Sequence, residues 1–151
     1  MQTRHRIRCY SGAVLRAVVD TNVLFTGLSR RGPEGAIIDS WVKRQFCPCV
    51  STALALEYED VLIRKLGAVK RETALKALQA LLARCEFVPI RFTYRPASPD
   101  PGDDLVVDCV LNSRSLLITS NVRDFREAAA DWDFRLCEPS EFLELLKEPQ
   151  S

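Results

Sequence analysis

Short apolar runs alternate along this chain with segments of helical periodicity, and that alternation restricts the folds open to it. The clearest run, 13–19, is apolar at every position except Arg16, which is the pattern of a strand buried on both faces. Further strand candidates lie at 46–50, 87–90, 116–119 and 134–137. Helical patterns separate them, at 33–42, 51–66, 71–83, 103–112 and 141–147. The sequence therefore predicts a three-layer α/β/α sandwich with a central, mainly parallel sheet of four or five strands.

The length and composition fit one domain of this kind. The 151 residues are 47% hydrophobic and 27% charged, which argues against a disordered chain. The net charge of +1 identifies no class of partner. We predict a single domain over 13–148 and a basic arm over 1–12 that carries Arg4, Arg6 and Arg8. A basic arm on a mildly acidic body is a weak pointer to nucleic acid.

The sequence also bears on where the protein works. No stretch approaches the roughly 18–20 apolar residues of a membrane span, and the basic start lacks the apolar centre of a secretion signal. We therefore expect a cytoplasmic protein with no membrane partner. Its six cysteines are expected to be reduced and buried in the core. Cys47 and Cys49 are the one close pair, and they lack the further ligands of a zinc site.

Oxygen-bearing side chains recur just past the predicted strands. In open parallel sheets, ligands bind outside the carboxyl ends of the strands, so side chains at those ends are expected to meet. The candidates are Asp20 after the first strand, Glu57 in the helix after the second, Asp103 and Asp104 after the third, and Asn121 and Asp124 after the fourth. Their matching positions in the topology favour a shared site.

Such a cluster predicts a metal. Carboxylates in one cleft disfavour each other's ionised form, and a divalent cation removes that penalty. Oxygen donors without histidine or thiolate suit Mg²⁺ or Mn²⁺, ions that activate water and stabilise charge on a phosphoryl group. The chain contains neither GxGxxG nor GxxxxGK[ST], so a phosphate-binding loop is not predicted. Taken singly, Asp103 and Asp104 would also suit ordinary helix N-terminal charges, and Asp20 a turn.

The chain resembles the PIN-domain nucleases, in particular the VapC-like toxin components of toxin–antitoxin pairs. The resemblance runs from Val18 to Leu146 and is carried by an ordered set of segments: VVDTNVL at 18–24, LALEY at 54–58, DDLVVD at 103–108, ITSNVRDF at 118–125 and PSEFL at 139–143. It implies an endoribonuclease that holds Mg²⁺ or Mn²⁺ and hydrolyses RNA phosphodiesters. It also implies a cognate antitoxin bound in an apolar groove, and a homodimer, as is common in this group.

The resemblance assigns the metal acids by position. Asp20, Glu57 and Asp103 correspond to metal-binding acids, and the spacing of Asp103 to Thr119 suits the family pattern. Asp104 is its close rival as a catalytic acid. Asn121 stands where many relatives have a fourth aspartate, and its amide brings an oxygen but no charge.

Further residues are expected to support this site. Asp124 is the alternative for the role of the missing fourth acid. Asn22 and Thr119 resemble groups that orient metal ligands. Arg30 and Arg31, in the first strand-to-helix loop, and Arg123 are expected to contact RNA.

Two other functions stay open at this level. One is a catalytically weak or inactive PIN-like module that binds RNA or protein, for which Asn121 is the best evidence. The other is a phosphatase or phosphotransfer domain in which Asp20 is a covalent nucleophile. Against the latter, Asn22 occupies a position where such phosphatases usually carry a second aspartate.

Overall fold

Five strands form one parallel sheet in the computed structural model, which describes residues 14–29, 32–94 and 100–148. The strand order is β3-β2-β1-β4-β5, with every pairing parallel. In chain order the elements are β1 (Arg16–Val19), α1 (Thr21–Gly27), α2 (Gly32–Val42), β2 (Cys47–Val50), α3 (Thr52–Lys65), α4 (Ala68–Leu82), β3 (Glu86–Phe87), α5 (Pro101–Ser113), β4 (Leu116–Ile118), α6 (Val122–Trp132), β5 (Leu136–Cys137) and α7 (Pro139–Lys147).

This topology confirms the predicted α/β architecture. The chain steps from β1 out to β3 and then returns across β1 to β4 and β5. Because parallel crossovers are right-handed, helices of the outward and returning steps cover opposite faces of the sheet. The strand order therefore reverses at β1, and the carboxyl ends of β1 and β4 lie side by side. A reversal of this kind opens a crevice at the sheet edge.

The strands are shorter than the apolar runs suggest. The third strand covers Glu86–Phe87, where 87–90 was expected. One further bond extends its ladder, from the Val88 amide to the Val50 carbonyl at 2.8 Å. Pro89 follows and has no N–H to donate, so the ladder ends there. The predicted arm over 1–12 lies outside the described residues.

Helix α1 is an element that the apolar pattern does not predict. It has only seven residues, and Thr21, Val23 and Thr26 are β-branched, so its intrinsic helix propensity is low. Burial of Val23 and Leu24 holds it in place. Gly27 allows α2 to approach, because a Cβ there would lie 2.5 Å from the Glu34 carbonyl oxygen and 2.6 Å from Ile38. Packing, rather than local propensity, forms this helix.

Helix α3 is fixed at its start and at its middle. The Ser51 hydroxyl accepts a hydrogen bond from the Leu54 amide at 3.0 Å, which makes Ser51 the N-cap of the helix. One turn later, the fully buried Tyr58 donates its hydroxyl to the Val19 carbonyl at 2.6 Å. This bond ties α3 to the last residue of β1. It also fixes the neighbouring Glu57 relative to Asp20.

Helix α5 begins earlier than the pattern at Asp103 and Asp104 suggests. Asp100 is its N-cap and accepts a hydrogen bond from the Gly102 amide at 2.9 Å, and Pro101 occupies the first turn. Proline is favoured there because its missing N–H would have no partner within the helix. The helix ends at Arg114, which has a left-handed φ of 54°.

The cysteines follow the prediction with one correction. Cys49, Cys85, Cys109 and Cys137 are free and buried, as expected. Cys47, however, is disulfide-bonded, so the expectation that all six are reduced is wrong for this residue. Within the described residues, no helix is long and apolar enough to cross a membrane.

Candidate active site

Asp20 lies at the centre of the site, directly after β1. Only 3% of the residue is exposed. The Thr119 hydroxyl, itself fully buried past the end of β4, donates a hydrogen bond to Asp20 Oδ2 at 2.8 Å. Burial raises the pKa of Asp20, while the hydroxyl of Thr119 and the backbone N–H groups of Thr21 and Asn22 lower it. The net pKa is raised, so the site holds this carboxylate at an electrostatic cost.

The residues around Thr119 support this arrangement through the backbone. The Asn121 amide N–H donates to the Thr119 hydroxyl oxygen at 2.9 Å, which leaves the hydroxyl proton for Asp20. The side chain of Asn121 is exposed at the start of α6. Asn22 is also exposed, and its backbone N–H acts on Asp20. Both residues therefore contact the expected network, by main-chain rather than side-chain atoms.

Asp103 brings a second carboxylate to this edge from the first turn of α5. Its pKa is raised to about 7, first by burial and then by the charges of Asp100, Asp20, Asp124 and Asp104. The carboxylates from β1, α5 and α6 thus lie close enough to act on one another. Asn121 and Asp124, the two candidates for the role of the fourth metal-binding acid, differ in charge. The charge of Asp124 acts on Asp103, whereas the Asn121 side chain is neutral.

Asp104 has different surroundings from those of Asp103. It is 9% exposed, and its charge raises the pKa of the Tyr94 phenol. Tyr94 precedes residues 95–99, which the structure does not describe. Its backbone amide donates a hydrogen bond to Asp108, which lies on α5 one turn after Asp104. Asp103 is therefore the α5 acid whose charge is coupled to Asp20, as the family spacing suggests.

Glu57 reaches the cluster across Gly102. A Cβ at Gly102 would lie 2.8 Å from Glu57 Oε2 and 3.3 Å from Asp100 Oδ1. The space that a side chain would fill at the start of α5 is thus occupied by carboxylate oxygens from α3 and from the N-cap. Burial raises the pKa of Glu57, Arg64 lowers it, and Asp60 and Asp100 raise it.

Asp100 is the site residue that sequence reasoning missed. Its charge raises the pKa values of Asp20, Glu57 and Asp103, so it is electrostatically coupled to all three expected metal acids. The signal was available, because Asp followed by Pro is a typical N-cap and first-turn pair. The helical pattern begins at Asp103, so Asp100 falls outside the helix that the pattern predicts.

The donor set fits a hard divalent cation. Asp20, Glu57, Asp100 and Asp103 offer only oxygen atoms, and Asp100 acts electrostatically on the other three. Among the described residues, no three of these carboxylates have oxygen atoms within 4.8 Å of one another. The raised pKa values of Asp20, Glu57 and Asp103 show that these groups carry a desolvation and repulsion cost, which a bound cation would offset.

A second group of side chains that could bind a metal lies at the opposite edge of the sheet and consists of Cys47, Cys49 and Glu86. Their sulfur and carboxylate oxygen atoms lie within 4.8 Å of one another. The donor chemistry there does not suit a metal. Cys47 is disulfide-bonded, burial raises the pKa of the Cys49 thiol to about 12, and Glu86 pairs with Arg16.

The expected RNA contacts are only partly visible. Arg30 and Arg31 lie outside the described residues. Arg123 is exposed in the first turn of α6, next to Asp124. It therefore lies at the carboxyl edge of the sheet, on the same helix as one of the acids that act on Asp103.

A family model described as "PIN domain" matches residues 16–123. The chain belongs to the PIN-domain family. The matched region contains Asp20, Glu57, Asp100 and Asp103, and it ends just before Asp124. No curated protein matches the chain significantly.

Solved structures share the PIN fold at low sequence identity. One is VapBC2 from Rickettsia felis bound to a DNA fragment from their promoter, with 13% identity, a TM-score of 0.59, and coverage of 82% of this chain and 98% of that chain. VapBC-1 from nontypeable Haemophilus influenzae has 15% identity and a TM-score of 0.56, and the match covers 83% of this chain and 99% of that chain. FitAB bound to an IR36 DNA fragment has 16% identity and a TM-score of 0.53, with coverage of 82% of this chain and 94% of that chain. The expected membership of the PIN-domain family and its fold are thereby confirmed.

Replacing Gly102 by alanine is expected to weaken metal binding without unfolding the protein. The new Cβ would displace the Glu57 carboxylate, the movable end of a flexible side chain, and not backbone. We expect Mn²⁺ to raise the melting temperature of the wild type, and Gly102→Ala to reduce the Mn²⁺ affinity about tenfold. Titrations followed by melting temperature measure both effects.

The matched control is Gly67→Ala. Gly67 likewise lies at the start of a helix, as the N-cap of α4, and a Cβ there has no neighbour within 4 Å. It should leave the Mn²⁺ titration unchanged. Equal titrations for Gly102→Ala and the wild type would show that Glu57 is not a ligand in this position.

Asp103→Asn is expected to stabilise the metal-free protein more strongly at pH 8 than at pH 5. The Asp103 pKa of about 7 lies above its ordinary 3.8. Its contribution to stability is therefore complete below pH 4 and is lost as the pH rises towards 7. Asparagine mimics the protonated form. Because the carboxylate is partly exposed, its repulsion is screened, and we expect a gain of about 2–4 °C, corresponding to ~1 kcal/mol.

Thermal melts in EDTA at the two pH values measure this difference. Asp131→Asn, at an exposed position on α6, is the control for removal of one negative charge. A gain at pH 8 that is no larger than that of the control would contradict the coupling of Asp103 to the other acids.

Proposed function

We propose that this protein is a divalent-metal-dependent endoribonuclease, and that it is the toxin of a toxin–antitoxin pair. The observation that carries the nuclease proposal is a group of electrostatically coupled carboxylates at one sheet edge. Asp100 acts on Asp20, Glu57 and Asp103, and Asp20 and Asp124 also act on Asp103. Membership of the PIN-domain family supports it. Asp20, Glu57 and Asp103 would hold Mg²⁺ or Mn²⁺, with Asp104 and Asp124 as nearby acids.

The residues of the site divide the work. Thr119 orients Asp20 by its hydrogen bond, and Tyr58 holds α3 so that Glu57 faces α5. The Asp100 carboxylate lies next to Gly102, on the same side of the cluster as the Glu57 carboxylate. A bound Mg²⁺ or Mn²⁺ would supply activation of water and stabilisation of negative charge on the phosphoryl group. The exposed side of the cluster, at Asp124 and Arg123, leaves access for a long polymer such as RNA.

The decisive experiment is cleavage of a mixed pool of single-stranded RNA in Mg²⁺ or Mn²⁺. We expect cutting by the wild type, none in EDTA, and a loss of about 10²-fold or more in Asp20→Asn and Asp103→Asn, since each removes charge that would hold the metal. Asp131→Asn is the control variant. The products of limited digestion would then reveal the preferred sequence.

Two outcomes would contradict the nuclease proposal. Cutting that survives EDTA or both substitutions would show that the acid cluster is not the catalytic site. The second outcome is a protein that folds and binds RNA but neither cuts it nor shows a melting shift with Mn²⁺. That result would favour the catalytically inactive binding module, for which Asn121 is the best evidence in the sequence.

An apolar groove supports the antitoxin part of the proposal. A cavity of about 610 Å³ lies between α1, α3 and α4. Its apolar lining includes Phe25, Leu28, Leu66, Val69 and Ala77, and Val69 is 83% exposed. The apolar face of an amphipathic helix needs a groove of this character. We propose that a helix of the antitoxin binds there, as VapBC and FitAB are complexes by their names.

Induced expression in a bacterial host tests the toxin assignment. We expect the wild type to arrest growth, Asp20→Asn to leave growth normal, and co-expressed antitoxin to restore it. Val69→Asp should arrest growth as the wild type does but resist rescue, since it places a charge in the apolar groove. Lys76→Gln, an exposed change elsewhere on α4, should be rescued normally. Rescue of Val69→Asp at wild-type level would exclude the groove as the binding site.

A further inference from the structure

Helix α3 presents a cation next to the acid cluster. Glu57, Asp60 and Arg64 are separated by three and four residues, so they lie on one face of the helix. Long helical side chains lean towards the helix N-terminus, which brings the Arg64 guanidinium towards Glu57. Burial raises the pKa of Glu57, and the charge of Arg64 opposes that rise. The pKa of Arg64 is raised first by Asp60 and then by the charges of Glu57 and Asp100.

Asp60 fixes the orientation of this guanidinium. Arg64 Nε donates to Asp60 Oδ2 at 2.7 Å. Within the part of the chain that the structure describes, this is the one hydrogen bond of the Arg64 side chain, which is 55% exposed. The terminal Nη groups of a guanidinium held by Nε remain available as donors. Their planar geometry suits phosphate oxygens.

The neighbouring cation on α3 points elsewhere. Lys65 Nζ lies 5.2 Å from the centre of the Phe25 ring, and Phe25 lines the apolar groove. The last turn of α3 therefore directs one positive charge to the groove and the other to the acids. An exposed ion pair such as Arg64–Asp60 adds little stability, so stability alone gives little reason for its position.

The chemistry of the substrate requires a cation here. A cluster of several carboxylates repels the RNA backbone, and a metal would offset that repulsion only at the phosphate it contacts. The adjoining phosphates need positive charge from the protein. Arg64 lies beside the two acids, Glu57 and Asp100, that border Gly102, on the α3 side of the cluster.

We propose that Arg64 binds the RNA phosphate adjoining the scissile one, and that Asp60 is the residue that positions its guanidinium. This inference rests on the proposed nuclease function for the term "scissile", but the phosphate contact itself can be measured without cleavage. It gives the RNA a path across α3, in addition to the expected contact at Arg123 on the other side of the site.

Binding of a labelled single-stranded RNA, followed by fluorescence anisotropy over a range of KCl concentrations, tests the contact. All proteins carry Asp20→Asn, so that the RNA is not cut. We expect Arg64→Gln to weaken binding about five- to tenfold and to reduce the slope of log affinity against log salt by about 0.7, the value for one phosphate contact on a single strand. Arg64→Lys should restore the slope and part of the affinity.

Lys76→Gln is the matched control. Lys76 is an exposed helical cation paired with Glu72 four residues earlier, as Arg64 is with Asp60, and it lies on α4. It should change neither affinity nor slope. Equal behaviour of the two glutamine variants would overturn the proposal. So would a loss of affinity at Arg64→Gln with an unchanged salt slope, because losing a phosphate contact must reduce counterion release.

Further measurements separate this inference from the proposed function. In the protein with Asp20 intact, Arg64→Gln should raise KM for RNA with little change in kcat and leave the Mn²⁺-dependent melting shift in place. If the wild type binds RNA but never cuts it, the nuclease proposal fails, while a reduced slope would still support the phosphate contact. If the wild type cuts RNA and Arg64→Gln has the KM and salt slope of Lys76→Gln, the phosphate contact alone fails.

Discussion

The site is organised around one carboxylate that has been taken out of water at the end of the central strand. Burying Asp20 is unfavourable unless polar groups compensate, and two elements supply them. β4 leads into Thr119, whose hydroxyl donates to Asp20, and α1 presents its first backbone N–H groups. A third element, α3, is tied by Tyr58 to the carbonyl of the adjoining Val19. Positioning Asp20 therefore also positions the helices that carry the other acids.

The second constraint is mutual repulsion. Asp100 and Asp103 come from the first turn of α5, where the partial positive charge of the helix N-terminus favours carboxylates. That local gain offsets part of the repulsion from Asp20 and Asp124, yet the Asp103 pKa remains near 7. Gly102 between them leaves room for the Glu57 carboxylate. The first turn of α5 is thus shaped for the cluster more than for its own stability, since glycine weakens helices.

Features set by neighbouring residues could be predicted from the sequence, whereas features set by contacts between distant elements could not. The parallel sheet was predictable because the run at 13–19, apolar except at Arg16, has the pattern of a strand buried on both faces. The place of Asp20 was predictable because it lies directly past that run, whereas Thr119 was expected only from the family resemblance. Helix α1 was not predictable, since packing of Val23 and Leu24 outweighs its poor propensity. Asp100 is a different case: the Asp-Pro pair is a local signal for an N-cap, but the coupling of Asp100 to Glu57 depends on how α3 packs against α5, which no local pattern indicates. The disulfide bonding of Cys47 likewise depends on tertiary structure.

Asn121 at the fourth acidic position has a physical interpretation that does not require loss of catalysis. The amide removes one negative charge from the edge, but Asp124 from the same helix acts on Asp103, and Asp100 adds a charge that acts on Asp20, Glu57 and Asp103. The backbone N–H of Asn121 still serves the Thr119 hydroxyl. What a divalent cation requires is compensating charge and oxygen donors near one point, not an aspartate at one sequence position. A cluster that keeps its charge by recruiting Asp100 from the N-cap of α5 meets that requirement, which weakens the argument that Asn121 makes for an inactive module.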